Sequence, residues 1–290
     1  MKPAPFRYHR ARDVHGTTQL LAELGEDAKV IAGGQSLVAM MNFRLARPSH
    51  LVDIGALRAL DHLGAGPDGA LHIGALTTHH TVETAPDEVL GTGFAVLRRA
   101  MGWIGHLPIR TRGTVGGSVA HADATAEWCL LAVALGARLR VAGPGGQRRV
   151  PAEEFFVGPY TSVLEPDELL TEIVFRGPHR TPRSPNSPSA RGLRARVGGR
   201  GPRHRRRAGA RRPGGARRVA PVPVRVPAAE AVLAGGGSFA ECAAVAAAAV
   251  DPPDDAGGST AYRRQLVRAL VERACAEAAE ATERREAGRR

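Results

Sequence analysis

A chain of 290 residues, 43% of them apolar, can bury one large core or two smaller ones, which excludes global disorder. No apolar run reaches the roughly 18 residues of a membrane span, and Met1 to Arg10 holds no apolar signal core, so neither an anchor nor a secretory leader is expected. The net charge of +12 is local: 15 arginines and no acidic residue lie between Arg176 and Arg218, leaving 25 basic against 28 acidic residues elsewhere.

The elements alternate along the first part of the chain. Val30-Ile31 closes an apolar strand that runs into Gly33-Gly34, and Ser36 to Phe43 has helical spacing. His50 to Ile54 reads as a second strand, after a turn fixed by Pro48. Leu71 to Leu76 is a strand, with Thr77 or Thr78 placed to cap the next helix. Phe94, Leu97, Met101 and Ile104 share one helical face over 94–105. Ala126 to Leu135 is helical and apolar, and Ala137 to Val141 and Leu169 to Phe175 are strands. The plan is α+β.

The character changes near residue 176. Thr181 to Ala190 is rich in proline and serine, and Arg191 to Arg218 is an Arg/Gly/Ala tract without apolar periodicity. Such a stretch cannot bury enough surface to offset its ordering entropy. Patterning resumes at Val219. Helices are expected over Ala228 to Leu233 and Phe239 to Val250, with a break at Pro252-Pro253. Ser259 is placed to cap a terminal helix with a buried stripe of Tyr262, Leu266, Leu270 and Ala274 and a charged, fraying end. The expected division is 1–175 (lobes about 1–56 and 57–175), the tract 176–218, and 219–290.

Cys129, Cys242 and Cys275 are far apart in sequence, which excludes a CxxC metal or iron–sulfur cradle and a disulfide framework. A reducing cytoplasm is the default location. Only Lys2 and Lys29 are lysines, a usage that goes with coding DNA rich in G and C.

Two glycine pairs carry the chemistry. Ala32-Gly33-Gly34-Gln35-Ser36 lies between a strand and a helix, where consecutive glycines let backbone N–H groups approach a ligand and the helix N-terminus adds positive charge. A pyrophosphate fits both features, and so does a plain strand-to-helix turn. Thr114-Val115-Gly116-Gly117-Ser118, followed by His121, Asp123 and Glu127, reads as a polar loop that bonds the ribityl and phosphate oxygens of a cofactor, or as a structural loop. His121 and Asp123 have no third partner for a metal, and no metal site is expected. Gly64-x-Gly66-x-x-Gly69 is discounted as a dinucleotide motif, because a strand follows it where that motif needs a helix.

Taken together, AGGQSLVAMMNFRLARPSHLVDI (32–54), IGHLPIRTRGTVGGSVAHADATAEW (104–128) and FFVGPYTSVLEPDELLTEI (155–173) resemble the FAD subunit of the carbon monoxide dehydrogenase/xanthine dehydrogenase family. The resemblance covers 1–175 and resumes at VAPVPVRVPAAEAVLAG (219–235). It implies a two-lobed α+β FAD domain and a smaller α+β C-terminal domain. Ala32, Gly33, Gly34, Gln35 and Ser36 would hold the pyrophosphate. Thr114, Gly116, Gly117 and Ser118 would line the second side, with Asp123 and Glu127 at the sugar-alcohol hydroxyls and Ile104 and Leu164 packed on the cofactor. Ala124 stands where the family has proline, which leaves that segment less rigid. The implied role is electron transfer beside a molybdopterin-binding large subunit and a [2Fe-2S] small subunit, with no catalytic acid or base in this chain.

Where the family continues with Arg-Arg-x-Gly-Asp-Phe-Ala, this chain has the arginine tract. A nucleic-acid-binding arm lacks interleaved aromatics, so no nucleic-acid partner is expected. A linker fits better, and a stretch read in the wrong frame fits best. The codons AGC CCG TCG GCA CGG GGA CTT CGC GCG, allowed for Ser187 to Ala195, encode Ala-Arg-Arg-His-Gly-Asp-Phe-Ala when read from the second base. A remnant with a damaged C-terminal domain is the alternative to a working subunit.

Overall fold

The computed structural model describes residues 2–91, 93–177 and 219–287, with side chains to residue 280. Two compact units divide the chain, Met1–His179 and Arg180–Arg290. The arginine tract lies outside the described residues from 178 to 218.

The first unit opens with β1 (Arg7–Arg10), α1 (Val14–Leu24), β2 (Ala28–Ile31), α2 (Leu37–Asn42) and β3 (His50–Asp53). Asp13 caps α1, its Oδ1 accepting from the Gly16 N–H at 2.7 Å. The strands form a parallel sheet in the order β1-β3-β2. Parallel neighbours need crossovers, and α1 and α2 supply them. The first strand had no clear signature, because its pattern is polar and exposed.

A hairpin of β4 (Leu63–Ala65) and β5 (Leu71–Gly74) starts the second sheet. Gly66 and Gly69 sit in its turn, with Gly66 N–H bonded to the Ala70 carbonyl at 2.7 Å, so the glycine triplet serves a hairpin. Six short helices follow: α3 (His79–Thr84), α4 (Asp87–Leu90), α5 (Ala95–Met101), α6 (Leu107–Arg110), α7 (Val115–His121) and α8 (Glu127–Ala134). Then come β6 (Arg138–Gly143), β7 (Gly146–Pro151), α9 (Ala152–Phe155), the small hairpin β8 (Phe156–Gly158) and β9 (Thr161–Ser162), and β10 (Leu169–Phe175). The five-stranded sheet is antiparallel throughout, in the order β4-β5-β10-β6-β7.

Period-two alternation decides its faces. Leu71, Ile73, Leu139, Val141, Ile173 and Phe175 are fully buried, with Trp128 and Phe155 in the same core. Phe94, Leu97, Met101 and Ile104 are also buried, although α5 itself ends at Met101. Glu172 faces the other way. One of its oxygens takes His62 Nε2 at 2.9 Å and His72 Nδ1 at 3.1 Å, and the other lies 2.9 Å from Arg140 Nε, in ion-pair contact without hydrogen-bond alignment. That multiple pairing is what lets a carboxylate sit so deep in a sheet.

In the second unit the described elements are helices: α10 (Pro227–Ala234), α11 (Phe239–Ala248) and α12 (Thr260–Ala287). Ser238 and Glu241 form a capping box on α11, and Ser259 Oγ accepts from the Tyr262 N–H at 3.2 Å at the start of α12. The buried stripe of α12 differs from the expected one. Arg263, Val267, Val271, Ala274 and Cys275 are buried, while Tyr262 is exposed and Leu266 and Leu270 are half-buried. The stripe is set by contact with α11, and Arg263 pays its way into it by pairing with Asp255. Charged residues beyond 280 lie outside the described side chains.

Candidate functional site

The segment Ala32 to Ser36 turns from β2 into α2, as the glycines require. The amide N–H groups of Gly33, Gly34, Gln35 and Ser36 donate to nothing among the described residues. Gln35 Nε2 donates back to the Gly33 carbonyl at 3.1 Å. Four adjacent amide donors without a protein partner, on a turn open to water, are the donor set that an anion cradle requires. The donors themselves carry this fit, because α2 has only six residues and therefore a weak dipole.

Gly33 works differently from expectation. A Cβ built on it would lie 2.0 Å from the carbonyl oxygen of Arg112. Its bare Cα therefore faces protein backbone, and the glycine lets this turn close onto the Arg112-Gly113 segment. Ala32 Cβ in turn lies 3.9 Å from the position of a Cβ on Gly117. The two glycine motifs, far apart in sequence, are thus in contact.

The second motif is a correction. Thr114 to Ser118 was expected to be a polar loop, but Val115–His121 is α7, capped by Thr114. Its backbone donors are already committed: Val115 to the Thr77 carbonyl at 2.9 Å, Gly116 to Ala75 at 2.9 Å, Gly117 to Thr114 Oγ1 at 3.1 Å and Ser118 to the Thr114 carbonyl at 3.0 Å. Gly116 is a packing residue, since a Cβ there would fall 2.5 Å from Ala75 Cβ. Gly117 and Ser118 remain accessible. The helix was missed because paired glycines lower helix propensity, although threonine ahead of apolar Val115 and Val119 was a usable cap signal.

Beyond α7, Asp123 Oδ1 accepts from the Thr125 N–H at 2.9 Å and Thr125 Oγ1 at 2.8 Å, and Glu127 begins α8. Leu164 is half-buried after β9, its N–H turned to Ser162 Oγ at 3.4 Å. Ile104 is buried in the α5 cluster.

Two residues that the sequence did not single out support this region. His79 is buried, donates its N–H to the Gly113 carbonyl at 3.0 Å, and takes the Trp128 indole N–H on Nδ1 at 3.0 Å. An indole can only donate, so the neutral ring carries its proton on Nε2. Burial, assisted by the Arg110 charge, pushes the His79 pKa down to about 4. Arg110 bonds Glu83 through Nε at 2.8 Å and the carbonyls of Ile104 and Gly105 through Nη1 at 3.2 and 3.3 Å. The Arg110 hydrogen bond in turn holds the Glu83 carboxyl below its ordinary range. His121 is lowered by burial, with Asp123 opposing.

Among the described residues there is no group of three His, Cys, Asp or Glu side chains that could hold a metal ion. No described helix is long and apolar enough to cross a membrane.

Residues 4–175 match the family described as the FAD binding domain in molybdopterin dehydrogenase, and residues 216–278 match the CO dehydrogenase flavoprotein C-terminal domain. The chain is 43% identical over 173 residues to the 6-hydroxypseudooxynicotine dehydrogenase complex subunit alpha of Paenarthrobacter nicotinovorans, covering 60% of this chain and 57% of that one. It is 37% identical over 174 residues to the carbon monoxide dehydrogenase medium chain of Hydrogenophaga pseudoflava, covering 60% and 59%. The matched segment thus spans somewhat under two thirds of these relatives. A solved structure of carbon monoxide dehydrogenase from Hydrogenophaga pseudoflava superposes with a TM-score of 0.80 at 31% identity, covering 97% of this chain and 99% of that one. Quinoline 2-oxidoreductase from Pseudomonas putida 86 gives 0.72 at 27% identity, with coverage of 97% and 99%.

Proposed function

Because this chain belongs to the family of FAD-binding domains of molybdopterin dehydrogenases, we propose that it is the electron-transferring flavoprotein subunit of a molybdenum hydroxylase. In this reading it works beside a molybdopterin-binding large subunit and a [2Fe-2S] small subunit, in the cytoplasm. The family match supports this reading and lends nothing to a nucleic-acid-binding protein or a remnant. Three free, buried thiols agree with a reducing compartment.

The observation that carries the proposal is the accessible row of unpaired N–H groups at Gly33 to Ser36, packed against α7. Those donors would hold the pyrophosphate of FAD. Thr114 and Gly116 would act as scaffold, since the Thr114 hydroxyl and the Gly116 N–H are committed to the protein. Gly117 and the Ser118 side chain would border the cofactor, with Asp123 and Glu127 toward the sugar-alcohol hydroxyls and Ile104 and Leu164 toward its ring. When bound, FAD supplies the redox chemistry, storing electrons and releasing them to an acceptor. The protein's own part is to bind, orient and exclude water. Choice of substrate belongs to the large subunit.

The test is direct. Acid or heat denaturation of the purified full-length chain is expected to release flavin with the spectrum of FAD, in about equimolar amount. Co-expression with the neighbouring large and small subunits is expected to yield a stable complex. Absence of flavin after reconstitution with FAD defeats the assignment.

A further inference from the structure

The two glycine motifs meet through one short peptide. A Cβ on Gly33 would lie 2.0 Å from the Arg112 carbonyl oxygen and 3.0 Å from Gly113 Cα, so the first turn rests on Arg112-Gly113. The same peptide leads into Thr114, the cap of α7. It is held by the residues that open α3. Thr78 and Thr114 form an antiparallel bridge, the Val115 N–H donates to the Thr77 carbonyl at 2.9 Å, and the His79 N–H donates to the Gly113 carbonyl at 3.0 Å. The His79 ring reaches this peptide too, since a Cβ on Gly113 would lie 2.8 Å from its Nε2 and 2.9 Å from its Cδ2.

His79 is buried, and its ring is oriented. Nδ1 takes the indole N–H of Trp128, itself fully buried on α8, and the two rings stack with centroids 6.4 Å apart and planes inclined at 22°. An aliphatic pair at 79 and 128 would fill this space with no polar atom to satisfy, and replacing both partners of a buried hydrogen bond can be close to neutral. What the hydrogen bond adds is direction. An imidazole tied at Nδ1 holds one tilt, where an aliphatic side chain settles for any that packs. That tilt decides where Gly113 can sit. A row of donors serves a ligand well only when it is held to within about 0.5 Å, a precision supplied by locked residues behind it.

We propose that His79 is a positioning residue for the flavin nucleotide. Oriented by Trp128, its ring fixes the Arg112-Gly113 peptide, and through that peptide the Gly33 to Ser36 donors that would hold the pyrophosphate. In this role it acts through backbone alone and touches no cofactor. The inference rests on the reading of this chain as an FAD-binding subunit.

The full-length protein is compared with His79→Leu, which fills the space but accepts no hydrogen bond, and with His79→Gln, which restores an acceptor. FAD is titrated at neutral pH, at a temperature where each apo protein is folded, and apo melting is recorded beside it. Leucine is expected to weaken FAD binding about tenfold, the factor that one hydrogen bond supplies, and glutamine to recover most of that loss. Trp128→Phe removes the donor instead and is expected to match leucine; it carries the test if the leucine variant does not fold. Native affinity in the folded leucine or phenylalanine variant, whatever its melting temperature, makes His79 a core residue only and overturns the proposal. A glutamine variant as weak as the leucine one overturns it too. Both results leave FAD binding itself standing, whereas failure of the unsubstituted chain to bind FAD defeats both readings.

Discussion

Gly33 and Arg112 approach so closely that a side chain on the glycine would begin inside the arginine's carbonyl oxygen, 2.0 Å from it. At Gly117 the nearest obstacle is the Thr114 hydroxyl, 2.8 Å away at the end of a side chain that can rotate. Gly33→Ala should therefore cost about 3 kcal/mol of stability, as overpacking against backbone does, and Gly117→Ala about 1 kcal/mol through the weakened cap. Denaturant melts of the apo proteins measure this, and FAD titration should rank the variants in the same order. Equal stability of the two would mean that the turns are not in contact.

His79 makes stability pH-dependent with a definite sign. Its pKa is about 4 in the fold, against 6.5 in the unfolded chain. Above 6.5 neither state carries the proton. As pH falls from 6.5 toward 4 the unfolded chain gains it and the folded one does not, so stability is lost across that window, by about 3 kcal/mol. Glu83 and Glu168, both lowered by arginine hydrogen bonds, add losses of the same direction in the acidic carboxylate range. His79→Gln keeps an acceptor for Trp128 and removes the titration. The wild type should then lose more stability than the variant between pH 6.5 and 4, and parallel profiles would contradict the buried, neutral imidazole.

Asp123 spends Oδ1 on the Thr125 turn. Asp123→Asn preserves that turn and removes the charge, whereas Asp123→Ala removes both. If the carboxylate also meets the cofactor's hydroxyls, the alanine variant should lose about 2 kcal/mol of FAD affinity and the asparagine variant less. Native affinity in Asp123→Ala would take the residue off the site.

The tract from about 176 to 218 is proposed to be a stretch read in the wrong frame. A tract with fifteen arginines and no acidic residue of its own reads poorly as packed protein, since desolvating unpaired charge is costly. Resequencing the gene is expected to recover a frame encoding Arg-Arg-x-Gly-Asp-Phe-Ala near Ser187 to Ala195 and a near-neutral or acidic protein. Confirmation of the present frame, with loss of flavin binding or assembly on deleting the tract, would give the arginines a role instead.

In the first unit, local rules located the strands β2, β3, β5, β6 and β10 and the helices α2, α3, α5 and α8, and left the other described elements unread. Leu71 to Leu76 and Leu169 to Phe175 read as strands and form β5, which ends at Gly74, and β10; the double glycine marked the β2-to-α2 turn, and Thr78 caps α3 as its position suggested. These features depend on neighbours in sequence, so sequence determined them. Only the tertiary structure decided that Gly33 serves a contact with Arg112, that Gly116 serves one with Ala75, and that the second glycine pair opens a helix. It also chose Val267 and Val271 over Leu266 and Leu270 on α12. In each case the deciding partner lies far along the chain, and a glycine or an aliphatic residue has the same local signature whether it faces a ligand, a helix or water. Side-chain pattern reports what a residue can tolerate, and packing alone reports what it touches.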